Sequence, residues 1–242
     1  MYIIAGPCSI ENENFIDIGK KVKKLGATHL RGGVFKPRSS PFRWHGIGLE
    51  AIPLLQRAKE EVSLPLVVEA MSPQQIEILY PYVDVFQCGT RNATNTEFLK
   101  ELGRQDKPVI YKRGMAQTIE EFVMGADFIL NEGNQDVTLC ERGIRTFETY
   151  TRNTFDVSCI AAVHELCDLP IIADPSHGTG KRSLVHPVAL AAIAAGADGL
   201  IVEVHDDPDK AMTDGPQSLT PQEFEKLMYQ INRIKGVVDH VR

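Results

Sequence analysis

Residues 171–203 read IIADPSHGTGKRSLVHPVALAAIAAGADGLIVE, and the alternation inside this stretch decides the fold. Two short apolar runs, 171–174 and 200–203, each close on an acid, Asp174 and Glu203. Between them, residues 188–195 are apolar enough to predict a largely buried helix, which Gly196 stops. Short apolar runs without polar alternation suit strands covered on both faces, as in parallel sheets. Parallel neighbours need a crossover, and a helix supplies it.

The same unit recurs along the chain. Apolar runs at 2–5, 29–33, 66–69, 83–87, 109–112 and 137–140 complete a set of eight strands. Phe15, Ile18, Val22 and Leu25 recur at helical steps after the first, with Lys20, Lys21, Lys23 and Lys24 outward and Gly26 as a stop. Pro73 opens another helix, and Thr220-Pro221-Gln222-Glu223 forms a capped start for the last. Eight such units predict an α/β fold, a closed (β/α)8 TIM barrel, as one catalytic domain over 1–242; about 250 residues is typical of that fold. An open doubly wound sheet is the alternative. Its dinucleotide fingerprint is missing, because Gly6-Pro7-Cys8-Ser9-Ile10-Glu11 follows the first strand. Two connections, 36–48 and 143–156, have a length that compact domains keep for functional or mobile segments.

A formal net charge of −6 excludes general nucleic-acid binding but not small anionic ligands. The five cysteines are odd in number and irregularly spaced, which suits a reducing cytosol better than a disulfide framework. The apolar start runs at once into Gly-Pro-Cys and Glu11, so no secretory signal is expected. No apolar run approaches the roughly 20 residues of a membrane span. A soluble cytoplasmic protein is expected.

In such a barrel the active site lies at the carboxyl ends of the strands. Nearly every strand here ends in charge or reactivity: Cys8; Arg31, Lys36 and Arg38; Glu69; Arg91; Lys112 and Arg113; Glu141 and Arg142; Asp174 and His177; Glu203 and His205. Closure places the first strand beside the eighth, so Cys8, His177 and Glu203 project from neighbouring strands, and Asp214 reaches them from the turn at Thr213-Asp214-Gly215-Pro216. Singly, Cys8 reads as a small buried residue, His177 as a loop hydrogen-bonder and Asp214 as a turn former. Together they suit a divalent ion such as Mn, Fe, Co or Zn, bound through an ionised thiol.

Arg31, Lys36, Arg38, Arg91, Lys112, Arg113, Arg142 and Arg145 fall mainly on the remaining strands. Like charges crowded into one mouth predict a doubly anionic ligand or two ligands, with part of the set pairing instead with Glu69, Glu141 or Glu148. Gly178-Thr179-Gly180-Lys181 is no phosphate loop, since Pro175 occupies the first glycine position and Arg182 follows the lysine. Lys112 at a strand end allows a Schiff-base aldolase as a rival chemistry, although its arginine neighbours favour anion binding. Phe42 and Trp44 are expected to anchor the first long loop.

With these residues assembled, the chain resembles 3-deoxy-7-phosphoheptulonate (DAHP) synthase, in its short microbial type I beta form without a regulatory domain. The resemblance is carried by Gly6-Pro7-Cys8-Ser9, by Arg31-Gly32-Gly33-Val34-Phe35-Lys36-Pro37-Arg38-Ser39-Ser40-Pro41, and by Lys112-Arg113-Gly114. It continues in order through Cys140-Glu141-Arg142-Gly143-Ile144-Arg145-Thr146, Asp174-Pro175-Ser176-His177 and Asp214-Gly215-Pro216-Gln217-Ser218. It implies metal ligation by Cys8, His177, Glu203 and Asp214, with manganese first and iron, cobalt or zinc as alternatives. It implies phosphoenolpyruvate on Arg91, Lys112 and Arg142, with Arg31, Lys36 and His177 close by; Arg113, beside Lys112, is also expected to bind substrate. Arg38 and Ser39 would hold the phosphate of erythrose 4-phosphate. Proton handling falls to Asp174, Glu69 or a metal-bound water. Ser39 stands where the family more often has Thr, and Thr90 where Ala is commoner, so a looser loop is expected and a neutral change beside Arg91.

The implied reaction opens the shikimate pathway to the aromatic amino acids. A homotetramer or homodimer is implied, and a chorismate mutase is considered as a partner, which a metal-bearing scaffold could serve. The nearest rival is 3-deoxy-8-phosphooctulonate synthase, which uses arabinose 5-phosphate. Its loop resembles Lys-Ala-Asn-Arg-Ser-Ser, whereas this chain has Lys36-Pro37-Arg38-Ser39-Ser40. A non-enzymatic metal-bearing scaffold is the remaining alternative. Many family members carry an extra amino-terminal domain, whereas the first strand here starts within a few residues of Met1. Turnover is therefore expected to be insensitive to phenylalanine and tyrosine in an initial-rate assay, and clear inhibition by either would remove that expectation.

Overall fold

The computed structural model describes residues 1–37 and 40–238. Among them lie eight strands: β1 (Tyr2–Gly6), β2 (His29–Arg31), β3 (Leu66–Ala70), β4 (Val85–Cys88), β5 (Val109–Lys112), β6 (Val137–Glu141), β7 (Ile171–Ala173) and β8 (Gly199–Glu203). The α-helices among these residues are α1 (Asn14–Lys24), α2 (Ile52–Glu61), α3 (Pro73–Leu79), α4 (Thr96–Gly103), α5 (Ile119–Leu130), α6 (Ser158–Leu166), α7 (Pro175–Thr179), α8 (Arg182–Ala194) and α9 (Pro221–Val238). Strand boundaries agree with the sequence expectation to within two residues.

Each strand pairs in parallel with its neighbours in chain order, and β8 returns to β1, so the ring is closed. That seam has the longest register in the ring: Tyr2 lies opposite Gly199, and the match runs unbroken to Gly6 opposite Glu203. Gly6 is required where it stands. Its φ is +148°, and a Cβ there would sit 2.3 Å from the Arg31 carbonyl oxygen.

Two apolar regions hold the ring. Ile4, Val67, Val85, Ile110, Cys140, Ile172 and Ile201 fill its interior. Leu30, Val68, Phe86, Tyr111, Leu139 and Val202 pack outward against helix residues such as Phe15, Leu55 and Phe122. Successive strand side chains point to opposite faces, so the residue two places beyond each interior one faces the axis again. Above Val67, Val85, Ile110, Cys140, Ile172 and Ile201 this rule puts Glu69, Gln87, Lys112, Arg142, Asp174 and Glu203. One face of the strands therefore changes from an apolar plug to a polar floor in a single step.

Local signals account for the helices. Ser72 caps α3 by accepting from Gln75 N–H, and Pro73 occupies its first turn. Thr220 and Glu223 exchange side-chain to backbone hydrogen bonds at the start of α9, a capping box. Phe15, Ile18 and Val22 are buried on α1 as expected. The helix expected at 188–195 differs. It starts earlier, at Arg182, runs through Pro187, and buries only Val185, Ala189, Ala192 and Ile193. Small apolar residues overstated its burial, because a helix on the outside of the ring presents one face to the strands and the other outward. Among the described residues, no helix is long and apolar enough to cross a membrane.

The seam leaves no room at Gly199, where an added Cβ would lie 2.1 Å from the Tyr2 carbonyl oxygen. Gly199→Ala is expected to destabilise the protein by about 1–3 kcal/mol, the scale of an overpacked core. Urea denaturation would show this as a lower midpoint, and an unchanged midpoint would mean that β1 and β8 are not tightly paired.

Candidate active site

The turn after β7 fixes the first group. Asp174 caps α7 by accepting from His177 N–H at 2.9 Å. Its other oxygen accepts from His177 Nδ1 at 2.8 Å and from Lys112 Nζ at 2.5 Å. A carboxylate accepts only, so Nδ1 carries the imidazole proton and Nε2 keeps its lone pair. Burial lowers the His177 pKa against the pull of Asp174 and Glu203, which favours the neutral, ligating form. For Asp174, burial works upward, but His177 and Lys112 hold it well below the usual carboxylate range. Asp174 is fully buried and its oxygens are occupied, so its place is to orient His177 and Lys112.

Nε2 of His177 lies 3.4 Å from Glu203 Oε1 and 3.7 Å from Asp214 Oδ2. Asp214 adopts the left-handed region (φ 54°), which an Asx residue in a turn tolerates. The Cys8 thiol donates to Asp214 Oδ2 at 3.0 Å and accepts from Lys36 Nζ at 2.9 Å. Cys8, His177, Glu203 and Asp214 each offer a ligand atom, and these atoms all lie within 4.8 Å of one another. Burial, then Glu203, push the Cys8 thiol far up, while Lys36 opposes them. Such a thiol keeps its proton unless a cation replaces it. For Asp214, burial works upward, but His177 and Arg152 hold its carboxyl far below the ordinary range. One soft donor, one imidazole and two hard oxygens within one ion's reach fit a divalent metal. The expected quartet is brought together.

Beside this quartet opens a cleft of about 560 Å³, lined by Arg31, Lys36, Glu69, Gln87, Arg91, Lys112, Met115, Arg142, Arg152, His177 and Asp214 among others. Arg31 is tied to Glu203 at 3.0 Å and Lys112 to Asp174. Arg142 is only 3% exposed, and among the described residues it donates a hydrogen bond to the Gly143 carbonyl at 3.3 Å. Burial lowers its guanidinium pKa. Among the described residues no carboxylate pairs with Arg91 or Arg142. Cationic groups without counter-charge, converging on one cleft, call for an anion. Glu69 also lines the cleft, with Gln87 donating to it at 3.4 Å, and so remains placed for proton transfer.

Arg113 is not part of this cleft. It follows Lys112, so strand alternation turns it the other way, where it binds Glu141 and Asp156, both at 2.9 Å. The substrate-binding role expected for it draws no support from this placement, which commits its side chain to two carboxylates. Arg38 and Ser39 lie outside the described residues. Arg145 is exposed, and His205 pairs with Glu11 in a separate recess at 3.7 Å. Phe42 is 95% exposed and anchors nothing. Sequence reading missed Gln87, Met115, Arg152 and Gln217. Gln87 was available from the two-residue step above Val85. Arg152 sits in the long connection 143–156, and only tertiary contact brings it to Asp214.

The Schiff-base rival fares poorly, because the 2.5 Å ion pair with Asp174 occupies the amine it needs. A family model described as the DAHP synthetase I family matches residues 1–238. A phospho-2-dehydro-3-deoxyheptonate aldolase of Thermotoga maritima is 44% identical over 233 residues, covering 96% of this chain and 69% of the relative. The crystal structure of the DAHP synthase of Thermotoga maritima shares the fold at a TM-score of 0.94 and 42% identity, covering 98% of this chain and 70% of that one. A 2-dehydro-3-deoxyphosphooctonate aldolase of Desulfatibacillum aliphaticivorans is further off, at 31% identity over 254 residues, covering 97% of this chain and 92% of the relative.

The unpaired cations make a prediction that needs no turnover. Inorganic phosphate at about 100 times its Kd should stabilise the protein by about 2.7 kcal/mol. Arg142→Met should raise the melting temperature of the anion-free protein, by removing a buried unpaired charge, and should erase the phosphate effect. Calorimetric melts with and without phosphate read both, and a phosphate shift that survives Arg142→Met would place the anion elsewhere.

Proposed function

The chain belongs to the DAHP synthetase I family, and from that premise we propose that it is a 3-deoxy-7-phosphoheptulonate synthase. It joins phosphoenolpyruvate to D-erythrose 4-phosphate and water, releasing inorganic phosphate, as the entry step to aromatic amino acids. The observation that carries this reading is a single cleft, lined by Lys36, Arg91, Lys112 and Arg142, that opens beside the four-donor set and shares His177 and Asp214 with it. One substrate bears a carboxylate and a phosphate, and the other an aldehyde and a phosphate. The cleft supplies a partner for each kind of group.

Phosphoenolpyruvate would lie against Arg91, Lys112 and Arg142, whose charge offsets its carboxylate and phosphate. Its methylene carbon attacks the aldehyde carbon, forming the new C–C bond while the aldehyde oxygen gains a proton. Positive charge develops on the enol-ether carbon, water adds there and loses a proton, and the C–O bond to phosphate then breaks. When bound, a divalent ion polarises a carbonyl oxygen as a Lewis acid. Cys8, His177, Glu203 and Asp214 would hold it, with manganese the first choice over iron, cobalt or zinc. Lys112, kept in place by Asp174, and Arg142 stay beside the departing phosphate throughout, and preorganised charge of this kind is usually the largest catalytic contribution. Glu69, Asp174 or a metal-bound water would move the protons. Arg38 and Ser39 would take the phosphate of the aldehyde from the connection after β2.

The arabinose 5-phosphate reading draws on the phosphooctonate aldolases among the relatives. The 44% against 31% identities and Pro37 after Lys36 favour the shorter aldehyde. A bare scaffold leaves the unpaired Arg91 and Arg142 unexplained. The reading also carries a single catalytic unit over 1–242, a homotetramer or homodimer, a chorismate mutase as partner, and a cytosolic setting, which suits a buried unoxidised cysteine as ligand.

A phosphate-release assay with each aldehyde across several divalent ions tests this. Turnover is expected with erythrose 4-phosphate and a much lower rate with arabinose 5-phosphate; the reverse preference would favour the octulonate synthase. Cys8→Ala is expected to lower turnover by more than about a hundredfold, the scale of losing a preorganised group at a reacting centre. Full activity of that variant in metal-stripped buffer would overturn the metal assignment.

A further inference from the structure

Behind the metal donors stands a side chain with no role so far. Gln217 is 2% exposed. Its Nε2 donates to Glu203 Oε2 at 2.7 Å, and its Oε1 accepts from Arg152 Nη1 at 2.9 Å. The same Nη1 reaches Asp214 Oδ1 at 3.2 Å. Both carboxylates of the metal set are thus bound to one connected pair. Arg152 is held in its turn: its backbone N–H donates to the Thr179 carbonyl at 2.9 Å. Next to it, Asn153 donates from its side chain to the His177 carbonyl at 2.9 Å.

A carboxamide can sit two ways round in nearly the same volume. Turned over, Gln217 would set its oxygen against the Glu203 carboxylate and its NH2 against the Arg152 guanidinium. Both contacts would then repel. Arg152 therefore leaves the amide one orientation, the one that aims a donor at Glu203. Arg31 takes the opposite oxygen, Oε1, at 3.0 Å, so Glu203 is gripped at both ends.

We propose that Gln217 is a positioning residue for the metal centre and that Arg152 sets the direction of its amide. An ion then meets Glu203 and Asp214 already oriented. This rests on the metal reading given above. Hydrogen bonds behind ligating groups are commonly worth about 10–100-fold in metal affinity.

The test uses Co²⁺ alone, titrated into the metal-stripped full chain. It is read by the charge-transfer absorption of the Cys8 thiolate and by competition with a chelator. Gln217→Met keeps the side chain's length and removes both polar contacts; it is expected to weaken Co²⁺ binding about 10–100-fold. Should that variant fail to fold, Gln217→Asn keeps an amide that is too short to span Glu203 and Arg152, and a loss of Co²⁺ affinity is expected there as well. Wild-type Co²⁺ affinity in the folded variant overturns the proposal. Arg152→Gln also removes a charge near the ion, and that effect persists in Gln217→Met, whereas any effect exerted through the amide does not. Equal effects of Arg152→Gln in both backgrounds therefore overturn the steering role. A parallel phosphate-release assay keeps the readings apart. If Gln217→Met loses cobalt but the wild type releases no phosphate, the synthase reading falls and the positioning role stands. If the wild type turns over and Gln217→Met binds cobalt normally, the positioning role falls alone.

Discussion

The pairing of β1 with β8 is the constraint on which the rest of the molecule depends. These strands are separated by almost the whole chain, yet they share the longest register in the ring. Without that seam Cys8 has no reason to lie near Glu203. With it, the two follow the ends of paired strands, and the turn after β7 places His177 next to them. Such non-local pairing is entropically expensive to form. The apolar interior of Ile4, Val67, Val85, Ile110, Cys140, Ile172 and Ile201 offsets that expense by burying both sides of the closure.

Above this plug the molecule places charge where water is scarce. Some of it is neutralised internally. Arg31 binds Glu203, Lys112 binds Asp174, and Arg113 binds Glu141 and Asp156 on the other face. These pairs hold the site's geometry, since breaking a buried ion pair costs far more than an exposed one. Arg142 is handled differently: it is buried, and among the described residues no carboxylate pairs with it. A free protein that leaves it unpaired sacrifices stability for the capacity to bind anions, a common trade at functional sites, whereas the exposed Arg91 can stay hydrated.

Asp174 shows how one side chain joins the two halves. It orients His177 on the metal side and Lys112 on the anion side through a single carboxylate oxygen. On the far side, Arg152 and Gln217 bind the remaining carboxylates together. The metal donors and the anion cleft are therefore one connected network, in which moving one group disturbs the others. The quartet alone gives an incomplete account of the site.

Much of this was legible in the order of residues. Strand positions follow from short, mostly apolar runs, because strands covered on both faces keep their polar side chains few and near the carboxyl end. The inward position of Glu69, Lys112 and Glu203 follows from two-residue alternation, and the same rule, applied strictly, would have sent Arg113 outward. The metal quartet followed once closure was assumed. Tertiary structure alone decided which charges pair and which stay free, because pairing depends on distances of a few ångströms between residues far apart in the chain. Arg152 belongs to that class: nothing in its local sequence marks it, and its place comes from the docking of a long connection onto the turn that carries His177, where it meets Gln217 from the turn after β8. Local periodicity determines which way a side chain points, whereas its partner there is settled only when the chain closes on itself.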